Sequence, residues 1–381
     1  MPGWELLGKE EKEAVDEIFD KSNGVLCRYG LDQRRNNIFR VKEFEKTLAQ
    51  KLGVKHCLFV CNGTAALKIA LVAMGVKAGD EVITQSFTFV ATAEVVLELG
   101  AKLVITEVDE SLNMDPQDLK QKITYKTKVI IPVHMSGVAA KMDEILEIAK
   151  EKNIHVLEDS CQALGGKYKG KYLGTIGDAG VYSLDIGKII TTGEGGVLVT
   201  NDDSLYLQAK EYSDHGHQDK MGVPRGEDTH SSWGFNYKVT ELQGAVGLAQ
   251  LKKIDYILQA QKKNKKIIKE ALQNINGIEF RQLPDSEGDA GDTLIFFVEN
   301  KEKASEFAKK FKEKGFGTKN LPDALNWHFA GDWSHIFPRV DIWPKSEEIL
   351  RKAIAIPVMV NMNDEQINNI IKAIKEAAEK I

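Results

Sequence analysis

Cysteine is scarce in this chain. There are four in 381 residues, Cys27, Cys57, Cys61 and Cys161, with neither a paired framework nor zinc-finger spacing. They read as reduced thiols, and Cys161 as a small buried side chain. Long apolar runs are lacking too: none approaches the roughly 18 residues that cross a bilayer. The opening Met1-Pro2-Gly3-Trp4-Glu5 has neither the basic nor the apolar region of a signal peptide, so a cytoplasmic address without a membrane partner is expected. Nor is one sign of charge in excess. With 51 basic and 56 acidic residues the formal charge is −5, which removes the general electrostatic case for a nucleic-acid partner. Lys262, Lys263, Lys265 and Lys266 lie in a helical stretch and read as a solvated face. Internal repeats and low-complexity segments are absent as well.

What is present is an ordinary globular composition, 43% hydrophobic and 28% charged, on a length that suits two lobes at roughly 100–200 residues each. From about residue 41 to residue 200, short apolar runs alternate with amphipathic ones, the pattern of an α/β fold with a mostly parallel central sheet. Strands are expected over His56–Val60, Glu81–Thr84, Leu103–Ile105, Val129–Val133, His155–Leu157, Ala179–Tyr182 and Val197–Val199. Helices are expected over Ala65–Met74, Ala91–Leu99, Pro116–Ile123, Met142–Lys152 and Ser204–Tyr212. Thr240–Asn274, nearly free of glycine and proline apart from Gly244 and Gly247, predicts a long helix between the lobes. Beyond Gly277, strands Ile278–Phe280 and Leu294–Val298 alternate with helices Ala304–Lys314, Glu347–Ala353 and Asp364–Lys380, as in a smaller α+β unit. The expected division is therefore 1–240, a connecting helix 241–275, and 276–381. A first helix, Glu10–Lys21, is expected to pack against the second lobe.

Three segments carry chemistry. Val60-Cys-Asn-Gly-Thr-Ala-Ala-Leu67 runs from a strand through a tight turn into a helix start, where unpaired N–H groups and the dipole suit a phosphate. Such junctions occur throughout α/β proteins. Val156-Leu-Glu-Asp-Ser-Cys-Gln-Ala163 ends a strand in an acidic residue, at the carboxyl edge where ligands bind in open α/β sheets. A carboxylate there keeps a protonated ring nitrogen of a pyridine cofactor cationic, or else it caps the following turn. In Gly180-Val-Tyr-Ser-Leu-Asp-Ile-Gly-Lys-Ile-Ile-Thr-Thr-Gly-Glu-Gly-Gly196, a lysine stands between two apolar strands, and burial there makes it a usable amine nucleophile.

In their joint order these segments resemble the DegT/DnrJ/EryC1/StrS family of sugar aminotransferases. The likeness extends through Ser86-Phe-Thr-Phe-Val-Ala-Thr92, Glu158-Asp159, Gly193-Glu-Gly-Gly196 and Gly234-Phe-Asn-Tyr-Lys238. It implies the fold type I architecture of pyridoxal 5'-phosphate (PLP) enzymes. It further implies that Lys188 carries the cofactor as a Schiff base and shuttles a proton, that Asp159 pairs with the pyridine nitrogen, and that Gln162 lies near the phenolic oxygen. By the same resemblance Phe89 stacks on the ring, Thr64, Ala65 and Ser183 hold the phosphate, and Asn236 comes from the neighbouring subunit of a homodimer with shared active sites. Plain core packing, a turn cap and a loop bond are the alternative roles of Phe89, Ser183 and Asn236. The chain also departs from the common pattern: Asp185 stands where many relatives have His or Asn, and Met-Ser-Gly-Val-Ala-Ala-Lys141 lacks the acidic residue often found before the methionine.

The resemblance implies L-glutamate as amino donor and a keto or aldehyde sugar, often nucleotide-linked, as acceptor. The opening hexapeptide, Arg28–Asn37 and Leu321–Ala330 look most like the branch that makes 8-amino-3,8-dideoxy-octulosonate, a modified lipopolysaccharide core sugar. Arg28, Arg34 and Arg35 suit the carboxylate of such an acid, and Tyr29, His134, His215 and His328 are further pocket candidates. His215-Gly-His217 has no acidic or thiol partner nearby to complete a metal site, so no metal is expected. Sugar dehydration, which certain relatives perform with His in place of the lysine, is disfavoured by Lys188. A non-catalytic sugar sensor is the reading from another class.

Overall fold

Each apolar run expected as a strand in the first 200 residues becomes one, and all but the edge strand Lys102–Thr106 are buried along nearly their whole length. The computed structural model describes residues 3–220, 223–230, 232–337 and 343–379. Its strands are β1 (His56–Val60), β2 (Glu81–Gln85), β3 (Lys102–Thr106), β4 (Thr127–Ile131), β5 (His155–Asp159), the short hairpin β6 (Lys167–Tyr168) and β7 (Lys171–Tyr172), β8 (Ala179–Ser183) and β9 (Gly196–Thr200). All but the hairpin form one sheet in the order β1-β9-β8-β5-β4-β2-β3. Strand β9 runs antiparallel to β1 and β8, and the remaining pairs are parallel. The carboxyl ends of β1, β8, β5 and β4 therefore share an edge with the start of β9.

The helices are α1 (Lys9–Lys21), α2 (Arg40–Leu52), α3 (Gly63–Ala73), α4 (Ala91–Glu98), α5 (Pro116–Lys122), α6 (Met142–Lys152), α7 (Asp203–Tyr212), α8 (Glu241–Leu272), α9 (Lys301–Glu313), α10 (Leu325–His328), α11 (Pro344–Arg351) and α12 (Asp364–Ala378). Period-two alternation sends Leu58 and Val60 of β1 into one core with Ala66, Leu67 and Ala70 of α3. It sends Cys57 and Phe59 into the opposite core with Phe44 and Leu48 of α2 and Ile254 and Ile257 of α8. The chain then enters a second, antiparallel sheet of β10 (Glu279–Phe280), β11 (Thr293–Phe297) and β12 (Ala353–Pro357). Its core joins Phe296 and Ile356 to Phe307 of α9 and Ile370 of α12.

The structure departs from expectation at several elements. Helix α1 does not dock on the second sheet. Glu11 accepts from Gln250 Nε2 at 2.8 Å and from Lys253 Nζ at 2.7 Å, which fixes α1 on α8; only Glu5, upstream, reaches the C-terminal part by accepting the Val360 N–H at 3.1 Å. Strand β12 was not foreseen; only its first residue, Ala353, falls within the expected helix Glu347–Ala353. The hairpin β6–β7 was not foreseen; it turns on Lys169 and Gly170, both at positive φ. The last helix ends at Ala378, and Lys380 lies outside the described residues.

Helices α2 and α8 approach so closely that a Cβ at Gly244 would stand 2.5 Å from the Val41 nitrogen and 2.7 Å from the Arg40 carbonyl carbon. Gly244→Ala would gain roughly 1 kcal/mol of helix propensity, yet it is expected to lose about 1–3 kcal/mol net through overpacking. Urea unfolding measures the sign, and a stabilised variant would show that the two backbones do not meet there.

Candidate active site

At the shared strand edge lies a cleft of about 440 Å3. Its floor begins where β1 hands over to α3. Asn62, in extended conformation, caps the helix by accepting the Ala65 N–H at 2.7 Å. The N–H groups of Gly63 and Thr64 are left without an intrahelical acceptor. Ser183, ending β8, packs against this turn: a Cβ on Gly63 would stand 3.1 Å from the Ser183 Cβ. Gly196 explains the glycine-rich segment, because a Cβ there would sit 2.1 Å from the Asn62 carbonyl oxygen. Asn62, Gly63, Thr64 and Ser183 all border the cleft, so its phosphate-sized corner is built of backbone donors and a hydroxyl.

Asp159, the last residue of β5, is 4% exposed and borders the same cleft. Its Oδ2 accepts from Thr92 Oγ1 at 2.8 Å and its Oδ1 from the Cys161 N–H at 3.1 Å. No lysine, arginine or histidine pairs with it among the described residues. Lys188 also borders the cleft and is half-buried, less enclosed than expected; its amine has no carboxylate partner among the described residues. Gln162 lines the cleft while its Oε1 accepts the Ser136 N–H at 3.2 Å. Phe89 is an exposed aromatic, 45% accessible, whose ring leans on His328 at 5.5 Å.

Sequence reasoning missed the opposite wall. Asp292, Lys319 and Asn320 reach the cleft from the neighbourhood of the second sheet. Lys319 Nζ bonds the buried Asp292 carboxylate and Thr293 Oγ1. Burial would raise the Asp292 carboxyl, but the Lys319 ammonium outweighs it and holds it below the usual range. These residues lie more than a hundred positions from Lys188 and follow no motif, so their only signal is tertiary. His328 is 9% exposed, and its Nδ1 lies 2.9 Å from the Ala324 carbonyl. Since a carbonyl only accepts, Nδ1 carries the proton and Nε2 keeps its lone pair. Burial pushes this imidazole below its ordinary value, and the charges of Lys188 and Lys319 push it further.

Several expected site residues are elsewhere. Ala65 is buried, and its N–H belongs to the Asn62 cap. Arg28 is buried in the frame, donating to the Phe59 carbonyl and to Glu45 Oε1 at 2.5 Å, and Arg35 is engaged by the carbonyls of Cys27 and Arg28. Neither guanidinium is free for a substrate carboxylate. Arg34 is exposed outside the cleft, and Tyr29 faces a separate surface groove beside Arg225. His134 is fully buried between Glu158 and the Ala140 N–H. His215 is exposed at positive φ, away from the cleft, and Asn236 is exposed outside the cleft of its own chain. Cys161, expected as a small buried side chain, is half-buried; it packs against the core beside α3 and lines the cleft. Among the described residues no group of three or more His, Cys, Asp and Glu could hold a metal ion, and no helix is long and apolar enough to cross a membrane.

A model of the DegT/DnrJ/EryC1/StrS aminotransferase family matches residues 32–375. The chain belongs to that family. Like the family, it is a PLP-dependent sugar aminotransferase with the fold type I architecture. GDP-perosamine synthase of Escherichia coli O157:H7 is 33% identical over 375 residues, covering 97% of this chain and 96% of that protein. The aminotransferase from Psychrobacter cryohalolentis superposes with a TM-score of 0.89 at 26% identity, covering 99% of this chain and 98% of that one. PseC of Helicobacter pylori, an aminotransferase involved in the biosynthesis of pseudoaminic acid, gives 0.84 at 26% identity, covering 98% of each chain. The cleft fits the family's cofactor. It offers free N–H groups for a phosphate, a buried carboxylate lacking a cation, an uncovered aromatic face and an unpaired amine.

The buried imidazole makes stability depend on pH. Because the folded state holds His328 below its ordinary 6.5, the unfolded chain binds that proton more readily. The stabilisation is complete above 6.5 and is lost as pH falls through the folded value, at no more than about 1.4 kcal/mol per pH unit. Asp292, lowered from 3.8, contributes only at still lower pH. Urea midpoints at pH 7.5 and 5.5 are expected to differ less in His328→Gln than in the native chain; equal differences would show a ring that titrates normally.

Proposed function

We propose that the chain transfers the amino group of L-glutamate to the carbonyl of a nucleotide-linked keto sugar, in a homodimer whose two copies share their active sites. The observation that carries the acceptor class is the 33% identity, over 97% of the chain, to a relative whose name specifies a GDP-linked sugar. That relationship favours a nucleotide-linked acceptor over an octulosonate. The octulosonate remains a second reading because His328, within the stretch that suggested it, borders the cleft. Its physical support is weaker than expected, since Arg28 and Arg35 are engaged within the frame.

Bound PLP supplies a carbonyl for amine exchange and an electron sink for charge developing on the reacting carbon. The residues do the rest. Lys188 Nζ, unpaired among the described residues, takes the proton from the donor's Cα and returns it at the acceptor carbon. The Asp159 carboxylate, oriented by Thr92, holds positive charge on the ring nitrogen. Gly63, Thr64 and Ser183 hold the phosphate, Gln162 meets the phenolic oxygen, and Phe89 covers the ring. His328 presents the Nε2 lone pair, which accepts a sugar hydroxyl. With the proton on Nδ1 held by the Ala324 carbonyl, a hydrogen-bond acceptor is the role that fits. Asn236 supports the dimer reading: it stands beside Trp233, 71% exposed, and Phe235, 47% exposed, an apolar surface suited to a second copy.

Purified protein loaded with PLP is expected to show a visible-edge absorbance band that shifts when glutamate is added, and Lys188→Ala is expected to lose at least about a thousandfold in turnover. A variant as active as the native chain would remove the central role given to Lys188. Steady-state rates on nucleotide-linked keto sugars and on an oxidised octulosonate then decide the acceptor; turnover of the octulosonate alone would reverse the assignment.

His328→Phe is expected to raise the sugar KM by about tenfold, the cost of one lost hydrogen bond of ~1.4 kcal/mol, while the glutamate half-reaction keeps its rate. Equal damage to both half-reactions would assign His328 to the cofactor instead.

A further inference from the structure

His134 and Glu158 are buried on the far side of β5 from the cleft, and the chemistry just described leaves them without a part. Glu158 precedes Asp159 on β5, so the two carboxylates leave opposite faces of the sheet. Both oxygens of Glu158 are saturated: Oε2 accepts from His134 Nε2 at 2.9 Å and from the Gly174 N–H at 2.8 Å, and Oε1 from the N–H groups of Ile176 at 2.5 Å and Gly177 at 2.7 Å. His134 Nδ1 accepts the Ala140 N–H at 3.1 Å, which places the ring proton on Nε2 and fixes the tautomer.

The backbone around this pair leads directly to the cleft. The His134 N–H donates to the Asp159 carbonyl at 3.0 Å, and the Asp159 N–H to the Pro132 carbonyl at 2.9 Å. The end of β5 is thus fastened to the segment that carries His134. From His134 the chain bends through Ser136 and Gly137, with φ of 51° and 77°, and the Ser136 N–H there holds Gln162 Oε1 at 3.2 Å. The bond between His134 Nδ1 and the Ala140 N–H closes that bend. One buried pair therefore holds the backbone of one cleft residue and the side-chain amide of another.

We propose that His134 and Glu158 are positioning residues for the reaction, setting the Asp159 carboxylate and the Gln162 amide against the cofactor from the opposite face of the sheet. The proposal rests on the roles given above to Asp159 and Gln162. Packing alone would accept a leucine of similar volume at His134, whereas positioning needs a group that donates at one end and accepts at the other.

The test uses the full-length protein and reads PLP affinity, by fluorescence titration, together with the pH midpoint of the bound cofactor's visible band. His134→Leu is expected to weaken PLP binding by about tenfold, the scale on which outer partners act on the ligands they orient, and to move the midpoint. His134→Gln, whose amide both donates and accepts, is expected to restore both. If the leucine variant does not fold, His134→Asn replaces it, since the shorter amide reaches one partner and not both. A folded leucine or asparagine variant with native affinity and midpoint, whatever its melting temperature, overturns the proposal. A native protein that fails to develop the band at all would instead overturn the assignment of Asp159 and Lys188, so the two failures are distinguishable.

Discussion

A buried carboxylate without a cation governs this molecule. Taking an ionised group out of water costs several kcal/mol unless charge or hydrogen bonds compensate it. Asp159 has two neutral donors, the Thr92 hydroxyl and the Cys161 N–H, and no partner of opposite charge among the described residues. Other buried charges have ionic partners, Arg28 with Glu45, Lys265 with Asp289 and Lys319 with Asp292, while buried Arg281 is held by the Ser111 and Met135 carbonyls. An acid left open at the carboxyl edge of a parallel sheet fits the role proposed for it, partner to a cationic ring. The turn at Asn62-Gly63, with its backbone N–H groups, and the exposed Phe89 border the same cleft.

The fold supplies this arrangement at small local expense because the carboxyl ends of six strands point the same way. Antiparallel β9 is what admits the glycine-rich segment, whose Gly196 passes beneath the Asn62 carbonyl where any side chain would collide. That close approach brings Ser183 against the start of α3. The Lys188 loop follows from the same geometry. It leaves β8 at Ser183, and the Asp185 carboxylate accepts the Gly187 N–H at 2.9 Å to form the turn that presents the lysine.

Much of this was legible in the sequence, and the limits were physical. Strands of the large sheet were readable because burial on both faces leaves continuous apolar runs; β1 and α6 match their expected spans. Thr64, Phe89, Asp159, Gln162, Ser183, Lys188 and His328, named from the sequence, border one cleft. What failed was the distinction between an arginine or histidine that binds a ligand and one that holds the frame. Arg28 finds Glu45 seventeen positions away, and His134 finds Glu158 twenty-four positions away; no local pattern announces either partner. Lys319 and Asp292 escaped for the complementary reason. They enter the cleft only because the chain returns from the second sheet, and nothing in their neighbouring residues marks them.

The charges of the cleft bear on what completes it. Asp159, Asp185, Glu194 and Asp292 border it against two ammonium groups, Lys188 and Lys319, and Lys319 is already neutralised by Asp292. A cofactor phosphate adds further negative charge, and so does a nucleotide-linked sugar. The exposed start of α3 answers part of that with its N–H groups and dipole, but a helix terminus is worth about half a charge. Of the arginines named for the task, Arg28 and Arg35 are bound within the frame, and Arg34 lies exposed outside the cleft. In the homodimer proposed above, further cations for an anionic substrate would come from a second copy docked on the exposed aromatic surface around Trp233; Lys238 is not among them, because it pairs with Asp214 within its own chain.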